Sequence, residues 1–217
     1  MPRRPLIRTH EFPYHVTARS NNREWFSLPL ATCWEIFENQ LAKITKEYQA
    51  KILSFVLMSN HFHLLLWTPQ ANIDAMMNYF LREVSRTMGK KTGRINHIFG
   101  GRYKWCLIER NSYLAHAYRY VYRNPVAAGL VGRVERYSYS TVQELLGKRT
   151  SPYRIYDGEN EINSYIPECI EERVRWLNTS FQPKEEDLIR RALRRAKFQF
   201  SKRRNDRPWL ESLEYQK

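Results

Sequence analysis

The sequence holds no apolar run near the roughly 20 residues that a membrane-spanning helix needs. Its longest apolar stretches, 55–58 and 64–67, are separated by Ser59, Asn60, His61 and His63. The opening MPRRPLIRTH is basic and lacks the apolar segment of a signal peptide, so a cytoplasmic protein is expected. Cysteine is scarce. Cys33, Cys106 and Cys169 lie far apart with no C-x-x-C spacing. That pattern suits reduced core thiols and argues against a disulfide framework or a zinc knuckle. There is no internal repeat, no low-complexity segment and no G-x-x-x-x-G-K-[ST] phosphate loop. Acids are also in short supply: 22 against 36 lysines and arginines, a formal charge of +14.

What is present follows from that imbalance. A strongly cationic chain attracts polyanions and speeds their association. The charge is accompanied by 14 tyrosines, 10 phenylalanines and 6 tryptophans. Cations that follow phosphates and rings that stack on bases are what single-stranded nucleic acid requires, although most of these rings must serve the core. The 217 residues, 42% hydrophobic, are enough for one ordinary domain plus a small appendage.

Along the chain, YHVTAR at 14–19 reads as a first strand, with Asn21-Asn22 as a turn. A helix is expected over about 29–48, capped by Ser27, with Trp34, Phe37, Leu41 and Ile44 on one face. Strands are expected over 51–58 and 61–68. A helix over 72–90 aligns Met76, Phe80 and Val84, and 93–101 reads as a loop. A strand is expected over 102–110. A further helix over 112–123 should stop before Asn124-Pro125, because a residue preceding proline avoids helical torsions. The order β-α-β-β-α-β plus a helix implies an α+β fold, ferredoxin-like, an antiparallel sheet with helices on one face. A first domain over 1–146 is expected, then a basic C-terminal extension, 147–217. Its stretch 147–182 reads as less regular. Pro183 opens a helix with Glu185, Glu186 and Asp187 in its first turn, followed by a basic run that includes Arg190, Arg191, Arg194, Arg195, Lys197, Lys202, Arg203 and Arg204.

Two constellations could carry chemistry. His61 and His63 flank Phe62 on a strand, so both imidazoles face one side and can share a metal ion. H-x-H pairs also arise by chance. His116, Tyr120 and Asn124 fall on one helix row, and Tyr113 lies just beyond. Taken alone, Tyr118, Tyr120 and Tyr122 read as packing residues. Together, two imidazoles and an amide oxygen make a mixed site with open positions, suited to Mg²⁺ or Mn²⁺ with phosphate oxygens as further ligands. A neighbouring tyrosine would then be placed as a nucleophile for phosphodiester transfer.

His61-Phe62-His63, preceded by Met58-Ser59-Asn60, resembles the HUH motif, in which a bulky apolar residue separates two histidines. Tyr120-Val121-Tyr122-Arg123-Asn124-Pro125-Val126 with Gly129 resembles the tyrosine helix of the REP-associated tyrosine transposases, relatives of the IS200-like single-tyrosine enzymes. Tyr14-His15-Val16-Thr17 with Asn21-Asn22-Arg23, and Phe99-Gly100-Gly101-Arg102-Tyr103, are similar to that family's first strand and to its segment before the tyrosine helix. The four segments occur in the family's order across about 10–146. The resemblance implies His61, His63 and Asn124 as ligands of Mg²⁺ or Mn²⁺, and Tyr120 as the nucleophile that forms a 5′-phosphotyrosine link. Tyr122 is the nearest rival, about 200° round the helix from Tyr120. No family motif requires His116.

The partner implied is a single-stranded DNA hairpin of the repetitive extragenic palindrome kind, bound by a nucleoid-associated monomer or homodimer. Candidate DNA contacts are Arg3, Arg4 and Arg8 in the N-terminal arm, Lys90, Lys91 and Arg94, and Arg102 with Lys104. The C-terminal basic run either grips a hairpin stem or forms a tail. Three other readings stand beside this one: a non-enzymatic nucleic-acid-binding module, another HUH nuclease such as a replication initiator or relaxase, and a zinc hydrolase completed by His97 or His116.

Overall fold

The computed structural model describes residues 5–156 and 165–200. The elements are β1 (Tyr14–Arg19), α1 (Leu30–Glu47), β2 (Lys51–Leu57), β3 (His61–Trp67), α2 (Ile73–Thr92), β4 (Lys104–Leu107), α3 (Asn111–Ala127), α4 (Val142–Leu145), α5 (Ile170–Asn178) and α6 (Pro183–Ala192). The strands form one antiparallel sheet in the order β2-β3-β1-β4, the ferredoxin-like arrangement.

Strand alternation divides the core in two. Tyr14, Val16, Phe55, Leu57, Phe62 and Leu64 point to one face, where α1 and α2 cover them. The expected stripes, Trp34-Phe37-Leu41-Ile44 and Met76-Phe80-Val84, are all buried there. The opposite face carries Leu53, Val56, Leu65 and Cys106 under α3. Leu177 of α5 and Leu188, Ile189 and Ala192 of α6 join the same cluster as Val121 and Tyr122, so the extension packs on the tyrosine helix. Arg119 reinforces this packing. It donates to the Thr179 and Ser180 carbonyls and lies 4.2 Å from the Phe181 ring centroid. Arg123 donates to the Leu177 and Asn178 carbonyls, which closes the C-terminal end of α5.

Several local expectations change. The third helix does not stop at residue 123; it continues through Pro125 to Ala127. Proline cannot donate to the carbonyl four residues back. Asn124 compensates, its Nδ2 donating to Tyr120 O at 2.8 Å and lying 3.4 Å from Val121 O. Ser27 does not cap α1. Pro29 holds the cap position with no side-chain bond, and the Ser27 hydroxyl accepts from Arg94 instead. β4 is four residues long rather than nine. The segment 147–182 contains α5. Cys33 and Cys106 are buried as expected, but Cys169 is exposed at the N-cap of α5. Arg3, Arg4, Lys202, Arg203 and Arg204 lie outside the described residues.

Candidate active site at the start of the third strand

Pairing of β1 with β3 sets Thr17 opposite His63 and Arg19 opposite His61. His15, Thr17, Arg19, His61 and His63 therefore share the face that α3 covers, while Phe62 and Leu64 are buried on the other. The hairpin that delivers His61 is tight: Met58 N donates to His61 O at 2.8 Å.

Each histidine is held by a neighbour. Asn60 Nδ2 donates to the Arg23 carbonyl at 2.8 Å, which leaves its Oδ1 to face His61 Nδ1 at 2.7 Å. His61 Nδ1 then carries the proton, and Nε2 keeps the lone pair. His63 Nδ1 lies 2.9 Å from His15 Nε2, the two rings stacked with centroids 5.1 Å apart. Both contacts use Nδ1, so Nε2 of each ring is free of hydrogen bonds among the described residues. Burial pushes His61 down to about 4, with Arg19 adding to the shift. Burial alone pushes His15 down to about 3. His63 is held well below its ordinary value by burial and then by His15 and His61. All three are neutral near pH 7, the form in which imidazole binds a metal.

Tyr120 stands over this pair. Its ring meets His63 edge-on, centroids 5.9 Å apart at 83°. Burial raises its phenol above the ordinary value. Arg190 and Arg194 from the extension, with Arg19, pull it down, and Glu186 opposes them. Tyr122 points away and is 1% exposed, its hydroxyl 2.9 Å from Thr141 Oγ1. Burial raises that phenol well above its usual value. Tyr113 is buried against Phe198 and Phe200, and His116 against Phe200, so neither extends the Tyr120 row into an open site.

Asn124 lies one turn beyond Tyr120 on α3. Its amide nitrogen is spent on the helix, and no hydrogen bond among the described residues engages its Oδ1. Two neutral imidazoles oriented through Nδ1 and one uncommitted amide oxygen fit a divalent cation as a donor set. No group of three or more His, Cys, Asp or Glu side chains that could hold a metal occurs among the described residues. That removes support for a zinc site completed by His97 or His116. Sequence reasoning missed His15, Asn60 and Arg19 as site residues. Alternation along YHVTAR places His15 and Arg19 on one face and was the available signal for those two.

The candidate DNA contacts scatter more widely. Lys104 lies on β4 opposite Thr17 and shares the histidine face. Lys90 and Arg94 line a cleft of about 500 Å³ with Arg86 and His97. Lys91 is exposed in the last turn of α2. Arg102 lies over the Tyr103 ring. Arg8 pairs with Asp74 at 2.7 Å, which raises the guanidinium further above its usual range. Among the described residues no helix is long and apolar enough to cross a membrane.

A family model described as "Transposase IS200 like" matches residues 8–124. A solved structure of a REP-associated tyrosine transposase bound to a REP hairpin superposes with a TM-score of 0.58 at 18% identity, covering 74% of this chain and 99% of that one. A second, described as a candidate transposase from Deinococcus radiodurans R1, gives a TM-score of 0.37 at 16% identity, covering 48% and 82%. No match was found among curated proteins.

Proposed function

The chain belongs to the IS200-like transposase family, and on that premise we propose that it cuts and rejoins single-stranded DNA beside a hairpin, with Tyr120 as nucleophile. Residues 1–146 carry the chemistry, and 147–217 form a basic extension. The observation that carries the reading is the meeting of Tyr120 with His63 across the α3–sheet interface, beside a histidine pair held neutral and oriented.

In the proposed reaction Tyr120 Oη attacks a backbone phosphorus. The P–O3′ bond breaks, a 5′-phosphotyrosine link forms, and the 3′-hydroxyl leaves with a proton. A hydroxyl attacking that link reverses the step and releases the tyrosine, so the phosphodiester energy is conserved. His61, His63 and the Asn124 amide oxygen would hold Mg²⁺ or Mn²⁺, which when bound polarises the scissile phosphate and offsets charge that builds on it. Arg19, Arg190 and Arg194 favour the phenolate that burial disfavours. Lys104 and the Lys90–Arg94 cleft would hold backbone phosphates, together with Lys91, Arg102 and Arg8. The substrate class, a REP-type hairpin, is the one bound by the structural neighbour.

The test uses hairpin DNA from the flanks of the protein's own gene, with Mg²⁺ or Mn²⁺, resolved on a denaturing gel. We expect a protein–DNA band that vanishes with EDTA and with Tyr120→Phe. An undiminished band from Tyr120→Phe refutes the assignment. Tight binding with no band on any of several repeats favours a binding module.

A further inference from the structure

Trp25 is 77% exposed, although tryptophan is among the residues most buried on average. Its placement has a local cause. Phe26, the next residue, is buried against Phe37 and Phe99, with ring centroids 6.0 and 6.2 Å away. In extended backbone, neighbouring side chains point opposite ways, so burying Phe26 turns Trp25 outward.

The loop that carries Trp25 is fixed, and it is fixed to the candidate active site. Ser20 N donates to Asn60 O and Phe26 N to Ser59 O, both at 2.8 Å. The Ser20 hydroxyl donates to the Glu24 carbonyl. Asn60 joins the two regions with one side chain, its nitrogen on the Arg23 carbonyl and its oxygen on His61. Asn22 and Arg23 adopt positive φ, 54° and 61°, a conformation that non-glycine residues hold only when their surroundings impose it. On its far side Arg94 ties the loop to the cleft. It donates to Ser27 Oγ at 3.2 Å and pairs with Glu24 at 3.5 Å. Ile95, beside Arg94, is fully exposed. The two most exposed large hydrophobics among the described residues thus stand on adjoining loops, and exposed Arg23, whose carbonyl accepts from Asn60, lies two residues before Trp25.

We propose that Trp25 is a stacking platform for a base of the single-stranded DNA whose phosphate is presented to Tyr120 and the histidine pair. The proposal rests on the function proposed above for that site. A rigid ring costs little entropy to stack on, Arg23 and Arg94 supply phosphate contacts, and attachment through Asn60 fixes the base relative to His61. Stacking reads a π-face and not a hydrogen-bond pattern, so this subsite tolerates every base.

The test compares two probes of equal length and phosphate count: a 16-nucleotide oligothymidine and the same backbone with every base removed. Affinity is measured without divalent metal, in full-length protein carrying Tyr120→Phe. We expect the base-bearing probe to bind about tenfold more tightly. Trp25→Ala should erase most of that preference, Trp25→Phe should keep most of it, and the salt dependence should be unchanged by either. Arg23→Ala should weaken both probes alike and lower the salt slope by about 0.7. The proposal is overturned if the parent protein shows no preference for bases. It is equally overturned if Trp25→Ala leaves the preference intact or weakens both probes equally. None of these outcomes depends on covalent chemistry, so a missing phosphotyrosine adduct would remove the nucleophile assignment and leave this result standing.

Discussion

The two faces of the sheet are built from the same four strands and do different work. Under α1 and α2, Phe37 sits among Phe26, Phe55, Phe62, Phe80 and Phe99, with ring centroids 5.5–6.5 Å away. Under α3 the corresponding strand positions carry His15, Thr17, His61 and His63, three of them imidazoles kept neutral by burial. In an aromatic layer a polar group without a partner is costly, and an imidazole more so than the phenylalanines it would displace. The layer can therefore hold the β1–β3 register, and that register aims the histidines. A one-residue slip of β3 would send both imidazoles into the phenylalanines. The apolar face supplies stability, and the polar face uses some of it to hold groups that folding alone would not select.

The largest effect should come from breaking the apolar face. Phe37→Ala removes the hub of the aromatic layer and should cost about 3–5 kcal/mol. In thermal denaturation that is a drop of roughly 10 °C for a chain of this size. Whatever protein stays folded should still form the covalent adduct. If Phe37→Ala instead left the melting temperature unchanged, the division of labour between the faces would be wrong.

Most of the apolar face was legible in the sequence, because burial follows period. Trp34, Phe37, Leu41 and Ile44, and Met76, Phe80 and Val84, repeat at helical spacing, and Phe62 alternates with its histidine neighbours. The polar face was legible only in part. H-x-H marks two residues on one strand, but His15 reaches His63 from β1 through strand pairing, which no linear spacing reveals. The extent of α3 was misread for a related reason. A proline rule predicts a stop, whereas the Asn124 side chain reaches the Val121 carbonyl that Pro125 leaves without a donor, at 3.4 Å, and bonds the Tyr120 carbonyl beside it. Arg190 and Arg194 entered the surroundings of Tyr120 only because α6 docks on α3, a tertiary fact.

A smaller effect sharpens the comparison on the polar side. On the function proposed above His15, which contacts His63 through Nε2, acts through that ring as a positioning residue. Removing the partner of a metal-ligating histidine typically weakens metal binding about 10–100-fold. His15→Phe should therefore raise the Mn²⁺ dissociation constant within that range, read by titration with electron paramagnetic resonance in the absence of DNA. Saturating Mn²⁺ should restore most of the adduct. His15→Gln, which can still reach His63 with a polar atom, should lie between the two. An unchanged Mn²⁺ affinity in His15→Phe would mean that the pair of rings is packing alone.

The smallest effect is expected where the two tyrosines of α3 part company. Tyr122 hydrogen-bonds Thr141 Oγ1 at 2.9 Å in the buried interior. Thr141 does not depend on it, because the same hydroxyl donates to Phe55 O at 3.2 Å and accepts from Phe55 N at 2.9 Å. Tyr122→Phe thus leaves Thr141 with its two hydrogen bonds to Phe55 and should cost about 0.5–1.5 kcal/mol, a few degrees in melting temperature by the usual scaling for about 200 residues. Adduct yield at a temperature where the protein is folded should equal that of the unmodified chain. The comparison is informative because Tyr120 and Tyr122 are chemically identical and differ only in helix phase. Loss of the adduct in Tyr122→Phe, with its retention in Tyr120→Phe, would require α3 to sit about 200° from its present orientation. That rotation would drive the Tyr122 side of the helix out of the core and Asn124 away from the histidine face. The pair of substitutions therefore tests the docking of the whole tyrosine helix, and not only the identity of one nucleophile.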